Sequence, residues 1–151
     1  MRVIIYSSLF LLLFSACSDS HDPKTLFDQG KYEKSLALWS AHAEQGDALA
    51  QNYVGIQYYL GLGTKRNYRQ ANKWFEESAI QGFADAQYNL GAMYENGEHV
   101  KQDYTTAAMW YSLAIEQGNG HAKKRMQSIL DDHRLFPNQY KRAVELAEQY
   151  R

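Results

Sequence analysis

The sequence repeats itself with a period of 36 residues between positions 47 and 118. The matching pairs include Ala50 and Ala86, Gln51 and Gln87, Gly55 and Gly91, Tyr58 and Tyr94, Ala71 and Ala107, Trp74 and Trp110, and Gln81 and Gln117. Repeats of this length bury their apolar faces only by stacking on one another. The chain is therefore constrained to form an array of similar units.

Each unit has the apolar pattern of two helices. In 83–118, the apolar face of the first helix is formed by Ala86, Leu90, Gly91 and Tyr94. The apolar face of the second helix is formed by Ala107, Trp110, Tyr111 and Ala114. Gly97 predicts the end of the first helix, because glycine tolerates the left-handed conformation that closes a helix. Asp103, like Asn67 one repeat earlier, predicts the N-cap of the second helix. We expect Gly55, Gly91, Ala71 and Ala107 to let paired helices approach closely, and Trp74 and Trp110 to fill the space between neighbouring pairs.

The repeat pattern divides the chain from residue 25 onward into four parts. These are a partial repeat at 25–46, two complete repeats at 47–82 and 83–118, and a degenerate repeat with a capping helix at 119–151. The partial repeat predicts helices at 25–29 and 32–45. The last helix, predicted at 137–150, should turn Tyr140, Ala143, Val144 and Ala147 inward and Lys141, Arg142, Glu145 and Glu148 outward.

The string DAQYNLGAMYENGEHVKQDYTTAAMWYSLAIEQG resembles the Sel-1-like repeat, a longer relative of the tetratricopeptide repeat. The matching positions are Ala86, Leu90, Gly91, Tyr94, Gly97, Val100, Asp103, Ala107, Trp110, Ala114 and Gly118. His99 stands where the pattern has a second loop glycine. In the preceding repeat Val54, Thr64 and Asn67 replace Leu, Val and Asp. The resemblance implies an all-α fold, a right-handed α/α solenoid of about four antiparallel helix pairs.

The N-terminal segment indicates processing and a lipid anchor. Residues 3–14 form an apolar run that is too short for a spanning helix of about 20 residues. The run leads to Cys17, the only cysteine. Residues 1–17 resemble a bacterial lipoprotein signal, with Phe14 where leucine is usual. This resemblance implies removal of 1–16, a palmitate-type lipid on Cys17, a flexible tether at 17–24 and, because Ser18 follows, an outer-membrane protein facing the periplasm.

Charge and motifs favour few kinds of chemistry. The 16 basic and 17 acidic residues are nearly balanced and form no basic stripe, so we expect no nucleic-acid partner. The five histidines have no metal-ligand spacing, and neither a phosphate loop nor a nucleophile elbow occurs. We therefore predict no catalytic, cofactor or metal site, and a protein that is not an enzyme.

The predicted binding surface is the face formed by the first helices of the repeats. By position in tetratricopeptide-like arrays, its exposed residues would be Asn52, Ile56, Tyr59, Tyr88, Ala92, Glu95, Lys124 and Ser128. Exposed tyrosine and isoleucine suit a protein or peptide partner with an apolar stripe. The alternative is that these rings pack against neighbouring helices. We expect the protein to be a monomer.

Three functions fit these patterns. The first is a membrane-anchored scaffold for protein–protein interaction in the bacterial cell envelope. The second is an envelope enzyme, because some proteins with such repeats are labelled β-lactamases, although this chain has no Ser-x-x-Lys motif. The third is an immunity or inhibitor protein that binds one toxin or hydrolase.

The lipid anchor makes a direct prediction. Cys17→Ser should abolish incorporation of labelled palmitate and release or misprocess the protein, because a serine hydroxyl cannot form the thioether and the anchor contributes roughly 0.8 kcal/mol per buried CH₂. Fractionation of cells that express each form measures the effect. A serine variant that remains fully membrane-bound would contradict the assignment.

Overall fold

The computed structural model describes residues 22–151, which form eight α-helices and a final 3₁₀ turn. The helices are α1 (Pro23–Asp28), α2 (Tyr32–Glu44), α3 (Ala48–Leu60), α4 (Tyr68–Ile80), α5 (Ala84–Asn96), α6 (Tyr104–Glu116), α7 (Gly120–Asp131) and α8 (Pro137–Ala147), followed by the turn at Glu148–Tyr150. Within this part of the chain, none of the helices has the length and apolar character needed to cross a membrane. The signal segment and Cys17 lie outside the described residues.

Local sequence explains where the helices begin and end. The side chain of Asn67 accepts a hydrogen bond from the Gln70 amide at 3.1 Å, and Asp103 accepts one from Thr105 at 2.9 Å. Gly61 and Gly97 close α3 and α5 at φ values of +74° and +73°. The predicted N-caps and glycine stops are therefore confirmed, since both depend on interactions within one turn.

The two helices of a repeat are held together through a glycine and an aromatic ring. A Cβ atom at Gly55 would lie 2.6 Å from the Phe75 ring, and one at Gly91 would lie 2.7 Å from the Tyr111 ring. The ring of the second helix thus occupies the space that a side chain on the first helix would need. The expectation of close approach at these glycines is confirmed.

Buried glutamines connect successive helices. The Gln51 side chain donates to the Ala43 carbonyl at 3.2 Å, and Gln81 donates to the Gln51 oxygen at 2.6 Å. The same contacts recur one repeat later through Gln87, Ala79 and Gln117, at 3.2 and 2.9 Å. Most buried amides are hydrogen-bonded, and these contacts explain why a glutamine recurs on the buried side of α3 and α5.

The last helix does not form a regular pair with α7. Instead, α8 packs against α6. The last two residues of the chain, Tyr150 and Arg151, also contact α6. Tyr150 covers Trp110, with 4.8 Å between ring centroids, and Arg151 forms an ion pair with Glu116. Trp110 is consequently buried, as expected, whereas Trp74 remains half-buried beside Trp39 and Val54.

The prediction that Tyr140 on the last helix faces inward is wrong. Ala143 and Ala147 are buried and Val144 is half-buried, but Tyr140 is 41% exposed. Tyr140 lies a turn before the buried alanines of α8, where it lines a surface cavity with Phe136. The residues predicted to face outward are all exposed: Lys141, Arg142, Glu145 and Glu148.

The glycine–ring contact predicts a matched pair of alanine variants. Gly91→Ala should lower the free energy of unfolding by about 1–3 kcal/mol, because its Cβ would overlap the buried Tyr111 ring. Gly120→Ala, where nothing lies within 4 Å, should instead be neutral or stabilise by up to about 1 kcal/mol. Urea unfolding measures both changes, and equal effects would contradict the packing argument.

Candidate partner-binding groove

A groove runs along the first helices of the repeats and encloses about 380 Å³. Three of these helices, α3, α5 and α7, contribute to it, and α4 provides part of its floor. The lining residues are Ile56, Tyr59, Leu60, Phe75, Tyr88, Asn89, Ala92, Glu95, Asn96 and Arg125.

The structure brings together most of the residues that sequence predicted for the binding surface. Five of the predicted residues line the groove: Ile56, Tyr59, Tyr88, Ala92 and Glu95. Lys124 and Ser128 are not among the lining residues. Both lie on α7, which contributes Arg125 to the groove.

Two of the predicted residues are not exposed, contrary to expectation. Asn52 and Glu95 are only 4% and 3% exposed. The Asn52 side chain is covered because it accepts a hydrogen bond from Asn89 at 2.9 Å. Glu95 is covered by hydrogen bonds from two neighbouring helices, and these shape one end of the groove.

The buried Glu95 forms an ion pair with the half-exposed Arg125, and a tyrosine supports it. The Tyr111 hydroxyl donates to one Glu95 oxygen at 2.7 Å, and the Nε of Arg125 donates to the same oxygen at 3.1 Å. The Nη2 of Arg125 donates to the other oxygen. Burial and, after it, the bond to Glu95 raise the pKa of Tyr111, so the phenol remains a donor. The hydrogen bond to Glu95 likewise raises the pKa of Arg125.

A second tyrosine joins one wall of the groove to the loop after α5. The Tyr59 hydroxyl donates to Glu98 at 2.9 Å. Burial, followed by this hydrogen bond, raises the pKa of Tyr59 to about 12. The Tyr59 phenol therefore stays neutral at physiological pH.

Sequence reasoning missed Arg125, along with Leu60, Phe75, Asn89 and Asn96. Arg125 follows Asn89 by 36 residues, and both precede the buried residue of the next position, Met126 or Leu90. The repeat therefore contained a signal for Arg125. Asn89 and Arg125 lie one position after Tyr88 and Lys124, which the sequence analysis assigned to the surface. That position could be recognised as part of the groove only once the neighbouring helices were placed.

The groove offers mainly apolar surface. Aliphatic and aromatic side chains form most of its surface, and its acid and base are already paired with each other. Among residues 22–151, there is no group of three or more His, Cys, Asp or Glu side chains placed to hold a metal ion. An apolar side chain of a partner would bury its surface here.

Comparison with known proteins accounts for the repeated architecture. The Sel1 repeat family model matches residues 48–83 and 84–119. This chain is a Sel1-like repeat protein. It is 35% identical over 74 residues to a sel1-like repeat-containing protein from Acanthamoeba polyphaga mimivirus, and 38% identical over 53 residues to protein sel-1 homolog 2 from Rattus norvegicus. These segments cover 49% and 35% of this chain, but only 12% and 8% of the relatives.

Solved structures of Sel1-like repeat proteins show the same solenoid fold. A protective antigen present in uropathogenic Escherichia coli strains, which displays an SLR fold, matches 85% of this chain with a TM-score of 0.78 and 26% identity. A Sel1 repeat protein from Oxalobacter formigenes matches 82% with a TM-score of 0.69 and 32% identity. This chain covers 28% and 54% of those proteins. Sel1-repeat proteins in general bind protein partners and are non-catalytic scaffolds.

The ion pair of Glu95 predicts a loss of stability when Arg125 is removed. Arg125→Ala should cost about 1–3 kcal/mol, because the Glu95 side chain is 3% exposed and loses its counter-charge, while water can partly replace the 44% exposed Arg125. Arg134→Ala, which breaks an exposed pair with Asp132 at 3.4 Å, should cost less than about 1 kcal/mol. Chemical denaturation compares the two variants, and similar losses would show that Glu95 is not effectively buried.

Proposed function

We propose that this Sel1-like repeat protein is a non-enzymatic scaffold that holds a protein or peptide partner in the groove. The observation that carries the proposal is the apolar groove between α3, α5 and α7. Several of its polar residues are held by hydrogen bonds, Arg125 by Glu95 within the groove, and Tyr59 and Asn89 by Glu98 and Asn52 beside it. The groove is therefore shaped before a partner arrives. A preformed groove lowers the entropic cost of binding.

We further propose that the scaffold is anchored by a lipid on Cys17 to the bacterial outer membrane and faces the periplasm. The support for this is the apolar run, the single cysteine and the serine that follows it. Between Cys17 and the start of α1 at Pro23 there are five residues. At a maximum of about 3.6 Å per residue, this linker would keep the solenoid close to the bilayer surface.

A blocked groove tests the binding proposal. Ala92→Arg would place a long, charged side chain in the groove and should reduce recovery of any genuine partner at least about tenfold, since it fills the apolar space and leaves a charge to be desolvated. Recovery is measured by cross-linking in intact cells followed by mass spectrometry.

The matched control is Ala37→Arg, which places the same side chain on an exposed alanine of α2 outside the groove. It should recover partners as the unaltered protein does. Equal recovery by both variants would refute a role for the groove. Hydrolysis of a β-lactam by the purified protein would refute the non-enzymatic part of the proposal.

A further inference from the structure

The ion pair in the groove departs from the repeat pattern. The residue 36 positions before Glu95 is Tyr59, and the one 36 positions before Arg125 is Asn89. Neither Tyr59 nor Asn89 brings a charge into the groove. A buried salt bridge generally adds little stability compared with well-packed apolar residues. The pair therefore adds to the second complete repeat a charged group that the first one lacks, at one end of the groove.

The pair fixes the position of an arginine side chain. Glu95 accepts hydrogen bonds from Nε and Nη2 of Arg125, and Tyr111 holds the carboxylate from the opposite side. Among the described residues, Nη1 of Arg125 has no hydrogen-bond partner, and its side chain is 44% exposed. An oriented and partly desolvated guanidinium is well suited to bind a carboxylate.

Arg125 lies between apolar residues of the groove and exposed basic residues of its own helix. Ile56, Tyr88 and Ala92 line the same groove. The first half of α7 carries His121, Lys123 and Lys124, all exposed, and its first acidic residue is Asp131. Glu95 is the nearest acidic group to Arg125, and it is buried behind the guanidinium. Glu98, beside the groove, already accepts hydrogen bonds from Tyr59 and Asn96. Within the groove lining, Nη1 of Arg125 is therefore the cationic donor that remains for an acidic ligand.

We propose that the groove binds a peptide segment in which an apolar side chain is followed closely by a carboxylate. The apolar side chain occupies the space between Ile56, Tyr88 and Ala92, and the carboxylate accepts a hydrogen bond from Nη1 of Arg125. The carboxylate belongs to an aspartate, a glutamate or a chain terminus. This inference rests on the proposed binding function and specifies its ligand.

Short capped peptides test the inference directly by NMR titration of the ¹⁵N-labelled protein. The probes are Ac-Ala-Leu-Glu-Ala-NH₂, its Gln and Lys counterparts, the Phe-containing equivalents, and Ac-Ala-Leu-OH with its amide. The Glu probe should bind about tenfold more tightly than the Gln probe, as expected for one charge-assisted hydrogen bond. The Lys probe should bind most weakly. The comparison of Ac-Ala-Leu-OH with its amide separates a chain terminus from a side-chain carboxylate.

A second measurement on the unaltered protein locates the contact. The Nε–H resonance of Arg125 should shift with the Glu probe and not with the Gln probe. The preference for Glu should also shrink when NaCl is raised from about 50 to about 500 mM, because salt screens a half-exposed charge. Neither readout depends on whether a variant folds.

Variants then assign the preference to Arg125. The double change Glu95→Gln with Arg125→Gln removes both charges and retains groups able to hydrogen-bond, so it should abolish the Glu preference and keep apolar binding within about twofold. Arg142→Gln, on the exposed face of α8, should keep the preference.

The possible outcomes separate this inference from the proposed function. Equal binding of the Glu and Gln probes, or a preference that survives the double change, overturns the carboxylate site and leaves the scaffold proposal standing. Failure of all probes to shift groove resonances also overturns it. The scaffold proposal is instead decided by the recovery of partners with Ala92→Arg and Ala37→Arg and by the β-lactam assay, and neither of these depends on the peptide probes.

Discussion

The contact between a glycine of one helix and an aromatic ring of the next determines much of this structure. The Tyr111 ring lies where a side chain of Gly91 would be, which brings α5 and α6 close together. In this position the Tyr111 hydroxyl reaches Glu95, one turn further along α5. Glu95 in turn orients Arg125 on α7. The packing of Gly91 against Tyr111 therefore also helps to position Glu95 and Arg125 at the polar end of the groove.

The earlier repeat shows that the same packing does not by itself create a polar site. There Phe75 occupies the place of Tyr111 and lies against Gly55. Phenylalanine has no hydroxyl, and Tyr59 stands where Glu95 stands in the next repeat. The two repeats share their interhelical contacts, including the glutamine hydrogen bonds, while their groove-facing residues differ. The array therefore combines a constant framework with a variable surface.

The repeated pattern made most of the fold predictable. Helix boundaries follow from Asn67, Asp103, Gly61 and Gly97, whose effects are confined to one turn. The groove was only partly predictable, because exposure depends on neighbouring helices. Glu95 has the position of an exposed residue in its own helix, yet Arg125 and Tyr111 cover it.

By itself, the sequence determined the number of the helices, most of their boundaries and the stacking of the repeats, because these follow from local caps and from apolar residues at a fixed period. Only the tertiary structure decided that α8 packs on α6 and that Arg125, not Lys124, lines the groove. The ion pair between Glu95 and Arg125 joins residues 30 positions apart. Such a contact depends on how helices are placed against each other, and no local pattern encodes it.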